Sequence, residues 1–463
     1  MPRAVVRRSV RIVSTRHAMS TADAAWLRMD RPTNLMIVNS VLWFDAPLDW
    51  DRCRAVFLDR IVARFDRFRQ RAVDGLPLAG PHWQDDPDFD PDLHFHHVSL
   101  PAPHDRAALE EFIGDRASTP LDHSRPLWEV YLIDDYGSGC AILVRIHHCI
   151  ADGIALGRVM LTLTDGGEPD AGIATGTRHN GGLRIPALGA AARLAGSVVH
   201  EGVETLLHPA HAGALAASAA GDAQTLAKLL LPGSDPQSAI KGEQSIAHRV
   251  AWSEPVELWR VKRVGHAYGA TVNDVLVAAV TGAVGSHLRE FGDDVGEVHA
   301  LVPFNLRPLD QPLPSELGNR FGLVLLGLPV GIADPVARLA EVKRRMDAIK
   351  NGHEGVFTFG ILGLMGRTPV QVEERLIDFF SAKGSMVLTN VPGPRKRLSL
   401  AGTPLGGVLV WAPCSGSVGM SVSVFSYAGK VTVGFLTDAG LVPEPQALAD
   451  RFKQDLLALA RTA

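Results

Sequence analysis

Cys140-Ala-Ile-Leu-Val-Arg-Ile-His-His-Cys-Ile-Ala-Asp-Gly-Ile-Ala-Leu-Gly157 is the stretch from which the rest of the chain can be read. Ala141 to Ile146 is an apolar run of the length of a buried strand. His147 and His148 follow it, and Asp152 and Gly153 come shortly after. Beyond Gly153 the apolar positions Ile154, Leu156, Val159, Met160 and Leu163 take helical spacing. The pattern His-His-x-x-x-Asp-Gly therefore sits where a strand gives way to a helix. Side chains at such a junction leave a rigid scaffold and face an open space.

Histidine decides what chemistry that space can hold. Its ordinary pKa lies near neutrality, so it can take a proton from a hydroxyl at physiological pH. A well-placed general base contributes ~10²–10⁴-fold in rate. The plainer alternative makes Asp152 the N-cap of the helix and His147 a packed core residue. A lone histidine would favour that alternative; the doublet followed by Asp-Gly favours catalysis. No metal site is expected, because neither Cys-x-x-Cys nor His-Glu-x-x-His accompanies the motif.

With 463 residues the chain exceeds a single ordinary core, so two domains are expected. Hydrophobic residues make up 46% and charged residues 21%, a globular composition. A net charge of −4 gives no argument for a nucleic-acid partner. Cys53, Cys140, Cys149 and Cys414 have neither disulfide nor zinc spacing, which fits a reducing cytoplasm. No apolar run reaches the ~18 residues of a membrane span. Residues 1–18 carry Arg3, Arg7, Arg8, Arg11 and Arg16 without an acid and read as a flexible extension.

Ser20-Thr-Ala-Asp23 has capping-box spacing and opens a short helix. Asn34 to Phe44 reads as a strand and Asp51 to Arg69 as an amphipathic helix. Leu93 to Val98 is a strand whose three histidines read as packed or solvated rather than metal-binding. Arg125 to Asp134, the turn Asp135 to Gly139 and the motif strand form a hairpin. The first domain is thus 19–164. Residues 165–245 are a linker in which Pro186 to Leu207 and Ala210 to Leu231 look helical. Those two pack within the fold, or alternatively lie on a membrane surface. The second domain, 246–463, starts with a strand at His248 to Trp252. Thr271-Val-Asn-Asp274 has a capping-box pattern, so Asp274 holds a helix end while Asn273 is freer to reach outward. Gly407 to Pro413, Val418 to Ser426 and Lys430 to Leu436 read as an antiparallel meander.

His-His-x-x-x-Asp-Gly resembles the active-site motif of the CoA-dependent acyltransferase superfamily. Pro126-Leu-Trp128, Ala270 to Leu276, Val302 to Arg307, Leu317-Gly-Asn-Arg-Phe-Gly322 and Thr389-Asn-Val-Pro-Gly-Pro394 resemble, in order, blocks of its bacterial wax ester synthase/diacylglycerol acyltransferase branch. The match runs from about Met19 to the C-terminus. One departure is Ile37 after Met36, where the family often has His. The resemblance implies an α/β fold of two chloramphenicol-acetyltransferase-like domains, each a mixed sheet with helices, joined by a helical linker. It implies transfer of a fatty acyl group from acyl-CoA, a co-substrate and not a cofactor, to the hydroxyl of diacylglycerol or a long-chain alcohol.

In that reading His148 is the general base, His147 supports the site, and Asp152 and Gly153 complete the motif. Asp152 is expected to pair with Arg307 from the other half. Asn273 is expected to stabilise the oxyanion, and Arg395, Lys396 and Arg397 form a basic turn that contacts CoA phosphates or membrane, or is simply solvated. The expected location is the cytoplasm, at the inner membrane face or lipid bodies. Two rivals remain: an amide-forming condensation domain and a non-catalytic lipid-surface protein.

Overall fold

The motif strand is buried at every position from Gly139 to His147, because it lies in the middle of a sheet covered on both faces. The computed structural model describes residues 16–75, 80–165, 234–305, 313–350, 370–414 and 416–463. Its strands are β1 (Arg16–Ala18), β2 (Ile37–Phe44), β3 (Gln70–Val73), β4 (His82–Asp85), β5 (Phe95–Ser99), β6 (Trp128–Tyr136), β7 (Gly139–His147), β8 (His248–Trp252), β9 (Val256–Glu257), β10 (Val298–Asn305), β11 (Phe321–Leu328), β12 (Met386–Pro392), β13 (Ser399–Leu400), β14 (Thr403–Trp411), β15 (Met420–Tyr427) and β16 (Lys430–Asp438). Its helices are α1 (Thr21–Arg28), α2 (Trp50–Phe57), α3 (Arg106–Ala117), α4 (Gly153–Thr162), α5 (Leu258–Tyr268), α6 (Val272–Glu290), α7 (Pro335–Lys350), α8 (Val370–Ala382) and α9 (Pro445–Thr462).

Two mixed sheets organise the halves. The first has the order β13-β14-β2-β7-β6-β5, with β5 parallel to β6. The second has the order β11-β10-β12-β15-β16-β8, with β9 added beside β16. A small sheet, β1-β4-β3, places Arg16–Ala18 opposite His82–Gln84, inside the stretch expected to be a flexible extension. Helix α6 is buried along almost all its length, packed against α7 and α9. The apolar core of the second half gathers around it.

Three expectations need correction. The anticipated meander forms only as the β15–β16 hairpin, turned through Ala428 (φ 49) and Gly429 (φ 81). Strand β14 instead crosses to the first half and pairs antiparallel with β2, from Leu405↔Phe44 to Trp411↔Asn39. It buries Leu409 and Trp411 there and covers an edge of β2 that would otherwise be open. The helix expected over Asp51 to Arg69 ends at Phe57 and widens into a π turn over Leu58–Val62. Arg60 of that turn donates to the carbonyls of Thr162 (3.0 Å) and Thr164 (2.7 Å), so packing against the end of α4 overrides the local periodicity. Ser20 caps α1 through the Asp23 N–H (3.1 Å), but the Asp23 carboxylate reaches across to the second half.

The Ala-rich segments expected to be helical lie outside the described residues. Asp235 is already tied into the second half, its carboxylate accepting from the His299 N–H (2.7 Å) and the Ser385 hydroxyl (2.7 Å). Among the described residues no single helix is long and apolar enough to cross a membrane. Helices α5 and α6 taken together meet that length and composition, but they join at a 100° bend.

Candidate active site

β7 ends at His147, opposite Ile37 of β2, and the chain then turns through His148 toward α4. The His148 N–H donates to the Met36 carbonyl at 2.7 Å, which extends the β2–β7 ladder by one bond. The imidazole stacks on Trp26 of α1, with ring centroids 4.2 Å apart, and lies 5.5 Å from Phe321 of β11. Both halves therefore wall in the ring, and His148 is only 5% exposed. Its Nδ1 is buried and has no hydrogen-bond partner among the described residues. Burial pushes its pKa down to about 4, against the pull of the Asp152 charge. At neutral pH this imidazole carries no net charge and can accept a proton.

Asp152 does two jobs at once. Its Oδ1 accepts from the Ala155 N–H (2.8 Å) and so caps α4, which the plainer sequence reading anticipated. Its Oδ2 accepts from the backbone N–H of Arg320 (3.0 Å), a residue of the second half. The expected partner Arg307 lies outside the described residues. Gly153 opens α4 and is exposed, and a Cβ there would meet nothing within 4 Å.

Three consecutive residues of the second half clasp the motif. The Gly318 N–H donates to the Ile150 carbonyl (3.1 Å), and Arg320 donates to Asp152. Between them Asn319 donates its backbone N–H (3.0 Å) and its Nδ2 (2.8 Å) to Asp23 Oδ1. The same Nδ2 donates to the carbonyl of His148 (2.8 Å). Leu317 (φ 54) and Gly318 (φ 85) are both left-handed, which turns the segment sharply enough to face the motif. Asp23 is buried, and desolvation raises its pKa despite these donors. In the sequence Leu317 to Gly322 stands out only as a family block and Asp23 only as part of a capping box, so neither Asn319 nor Asp23 is expected in the site. The only signal was an Asn after Gly in a family block.

His147 is fully buried on the other side of the loop. Its Nδ1 accepts the Cys149 N–H (3.1 Å), which leaves the ring proton on Nε2. That Nε2 lies 3.7 Å from Asp30 Oδ2, and His123 Nε2 approaches the same oxygen at 3.3 Å. The three residues bring one donor atom each within 4.8 Å of one another. A cation there would need the Nε2 lone pair of His147, which the Cys149 bond denies it. The three histidines expected on one strand are packed or surface residues, and His94 closes a 3-10 turn just before β5. His94 stacks on Trp128 (4.3 Å), His96 on Tyr131 (4.6 Å), and His97 pairs with Asp134 (2.5 Å).

Asn273, in the first turn of α6, accepts from Asn390 Nδ2 through its Oδ1 (2.6 Å). Asp274 completes a reciprocal capping box with Thr271 (2.8 and 3.2 Å). Arg395, Lys396 and Arg397 are exposed. Arg397 is engaged by Asp45 (2.6 Å) and the Leu405 carbonyl (3.1 Å), which ties the basic turn to the first half.

Two mixed sheets meeting at a buried histidine on a strand–helix junction define a chloramphenicol-acetyltransferase-like fold. A solved wax ester synthase/diacylglycerol acyltransferase from Marinobacter aquaeolei superposes with a TM-score of 0.69 at 20% identity, over 96% of this chain and 99% of that one. The first condensation domain of the calcium-dependent antibiotic synthetase superposes at 0.59 with 17% identity, over 96% of each chain. The wax ester synthase/diacylglycerol acyltransferase catalytic domain matches residues 19–276, and the C-terminal domain of that family matches residues 317–460. A probable diacylglycerol O-acyltransferase of Mycobacterium tuberculosis is 30% identical over 446 residues, 93% of each chain. The chain belongs to the wax ester synthase/diacylglycerol acyltransferase family.

Proposed function

We propose that the protein transfers a long-chain acyl group from acyl-CoA to the hydroxyl of diacylglycerol, with long-chain alcohols as alternative acceptors, and that His148 is the general base. The observation that carries this is the His148 ring itself: buried, uncharged at neutral pH, and enclosed by Trp26 and Phe321 from both halves. The family and the diacylglycerol O-acyltransferase names of the Mycobacterium relatives support the substrate class.

In the reaction His148 takes the acceptor's hydroxyl proton as the oxygen attacks the thioester carbonyl. The carbonyl oxygen gains negative charge, and Asn273 is assigned to donate to it. Its Oδ1 is used by Asn390, so what it offers elsewhere is N–H. A preorganised donor of this kind is worth ~3–4 kcal/mol in a dry site. The tetrahedral intermediate then breaks its C–S bond, and CoA thiolate leaves with the proton held by His148. No acyl-enzyme is needed, because the thioester is already activated.

The test incubates purified protein with palmitoyl-CoA and either dioleoylglycerol or hexadecanol, followed by thin-layer chromatography. Triacylglycerol is the expected product, and wax ester the second. His148→Ala should lower turnover by ~10²-fold or more with the fold retained. Amide formation from a carrier-bound acyl group, with neither ester detected, would overturn the proposal.

A further inference from the structure

Asp30 stands outside the His-His-x-x-x-Asp-Gly motif, yet both peptide N–H groups flanking the His148 ring lead back to it. The first route runs through Met36. Asp30 Oδ1 accepts the Met36 N–H (2.6 Å), and the Met36 carbonyl accepts the His148 N–H (2.7 Å). Met36 is fully buried, so water cannot replace either bond. The second route runs through His147. The Nε2 of that ring faces Asp30 Oδ2 (3.7 Å), and its Nδ1 accepts the Cys149 N–H (3.1 Å). A carboxylate beside Nε2 favours the proton there and leaves Nδ1 free to accept.

Burial works against the charge on Asp30, but contacts to His123 and His147 and the Met36 N–H outweigh it, and its pKa is held well below the ordinary carboxylate range. A permanent negative charge therefore stands behind the motif loop. His123, 47% exposed at its side chain, approaches the same Oδ2 (3.3 Å), and its ring lies 5.9 Å from that of His147.

We infer that Asp30 is a positioning residue: through Met36 and the His147 tautomer it fixes the peptide groups on either side of His148 and so aims the catalytic ring. The inference rests on His148 being the base. Asp30→Asn is nearly isosteric. Its oxygen can still accept from Met36, but its NH₂ would meet the His147 Nε2–H donor to donor. The ring must then lose one of its two contacts, and the loop loses its fixed register. A small misplacement of a catalytic group is enough to lose about tenfold or more in turnover.

The experiment records ¹⁵N-histidine NMR spectra and acyl-transfer kinetics on the full chain and its variants. In the wild type the His147 proton should sit on Nε2. Asp30→Asn should produce a mixture of tautomers and lower kcat about tenfold or more, with the acyl-CoA KM within about threefold. Asp30→Glu, which keeps the charge, should restore the Nε2–H tautomer and most of kcat. His123→Gln, which keeps an N–H for Asp30 Oδ2, should leave both unchanged. A wild-type proton on Nδ1, or an unchanged kcat in folded Asp30→Asn, overturns the inference. So does stoichiometric binding of ZnCl₂ that Asp30→Asn abolishes, since the cluster would then be a metal site. Should Asp30→Asn not fold, the wild-type tautomer and the Asp30→Glu kinetics carry the test. The tautomer is read independently of activity, so it stands even if His148 proves not to be the base.

Discussion

Asn319 donates its side-chain amide to the backbone carbonyl of His148 at 2.8 Å, although 171 residues separate them. The bond joins the second half of the chain to the one peptide that must not move if His148 is to meet its substrate. The same Nδ2 is held from behind by Asp23 on α1 (2.8 Å). Asp23, Asn319 and His148 thus form a buried polar line through the site.

Breaking that line should be felt in both stability and turnover. Asn319→Ala leaves the Asp23 carboxylate and the His148 carbonyl short of a donor in a buried place, at about 1–3 kcal/mol. Thermal melts and initial rates on Asn319→Ala, Asp23→Ala and the double variant measure it. Because the residues touch, the two losses should be less than additive by about 1 kcal/mol or more. Strict additivity would mean that the two residues act independently.

The pH response follows from the buried imidazoles. Burial lowers the pKa of His148 to about 4, and burial together with the nearby Arg451 charge does the same for His287. In the unfolded chain these groups take up protons near 6.5. Between those values the unfolded chain binds more protons than the native one, so stability rises with pH across the window. It is complete above about 6.5 and is lost as pH falls toward about 4. For His148 the shift corresponds to on the order of 3 kcal/mol. Burial raises Glu110 to about 7, which acts in the opposite sense over this window, so the slope is read as the difference in denaturant unfolding between wild type and His148→Gln from pH 4.5 to 8. If His148 is the base, kcat/KM should hold level through pH 6.5 and decline only near its lowered pKa. A rate that halves at pH 6.5 would show a base with an ordinary imidazole pKa.

Asn273 and Asp274 are neighbours with separable roles. Asp274 closes the capping box of α6 and is fully buried. Asp274→Ala should therefore lower the melting temperature, by about 1 kcal/mol or more in stability. Asn273→Ala removes an amide donor from the first turn and should reduce turnover with little change in melting temperature. A fully active Asn273→Ala would place the oxyanion donor elsewhere.

The features that depend on neighbours along the chain are legible in the order of the amino acids. Apolar runs and their change of period located β7, α4 and the histidines between them. The Thr271–Asp274 spacing placed a capping box that the structure contains, and Asp135 to Gly139 placed the hairpin turn. Such features follow from local backbone hydrogen bonding and side-chain period, which a few residues encode. What surrounds His148 is set by contacts between residues far apart in the chain. Asp23 meets Asn319 across 296 positions, and β14 leaves its sequence neighbours to cover the edge of β2. Asp30 and His147 come together only when β2 and β7 pair. No local pattern distinguishes a carboxylate that closes its own helix cap from one that reaches into the other half. That choice is made by which buried donors the packed chain brings within about 3 Å.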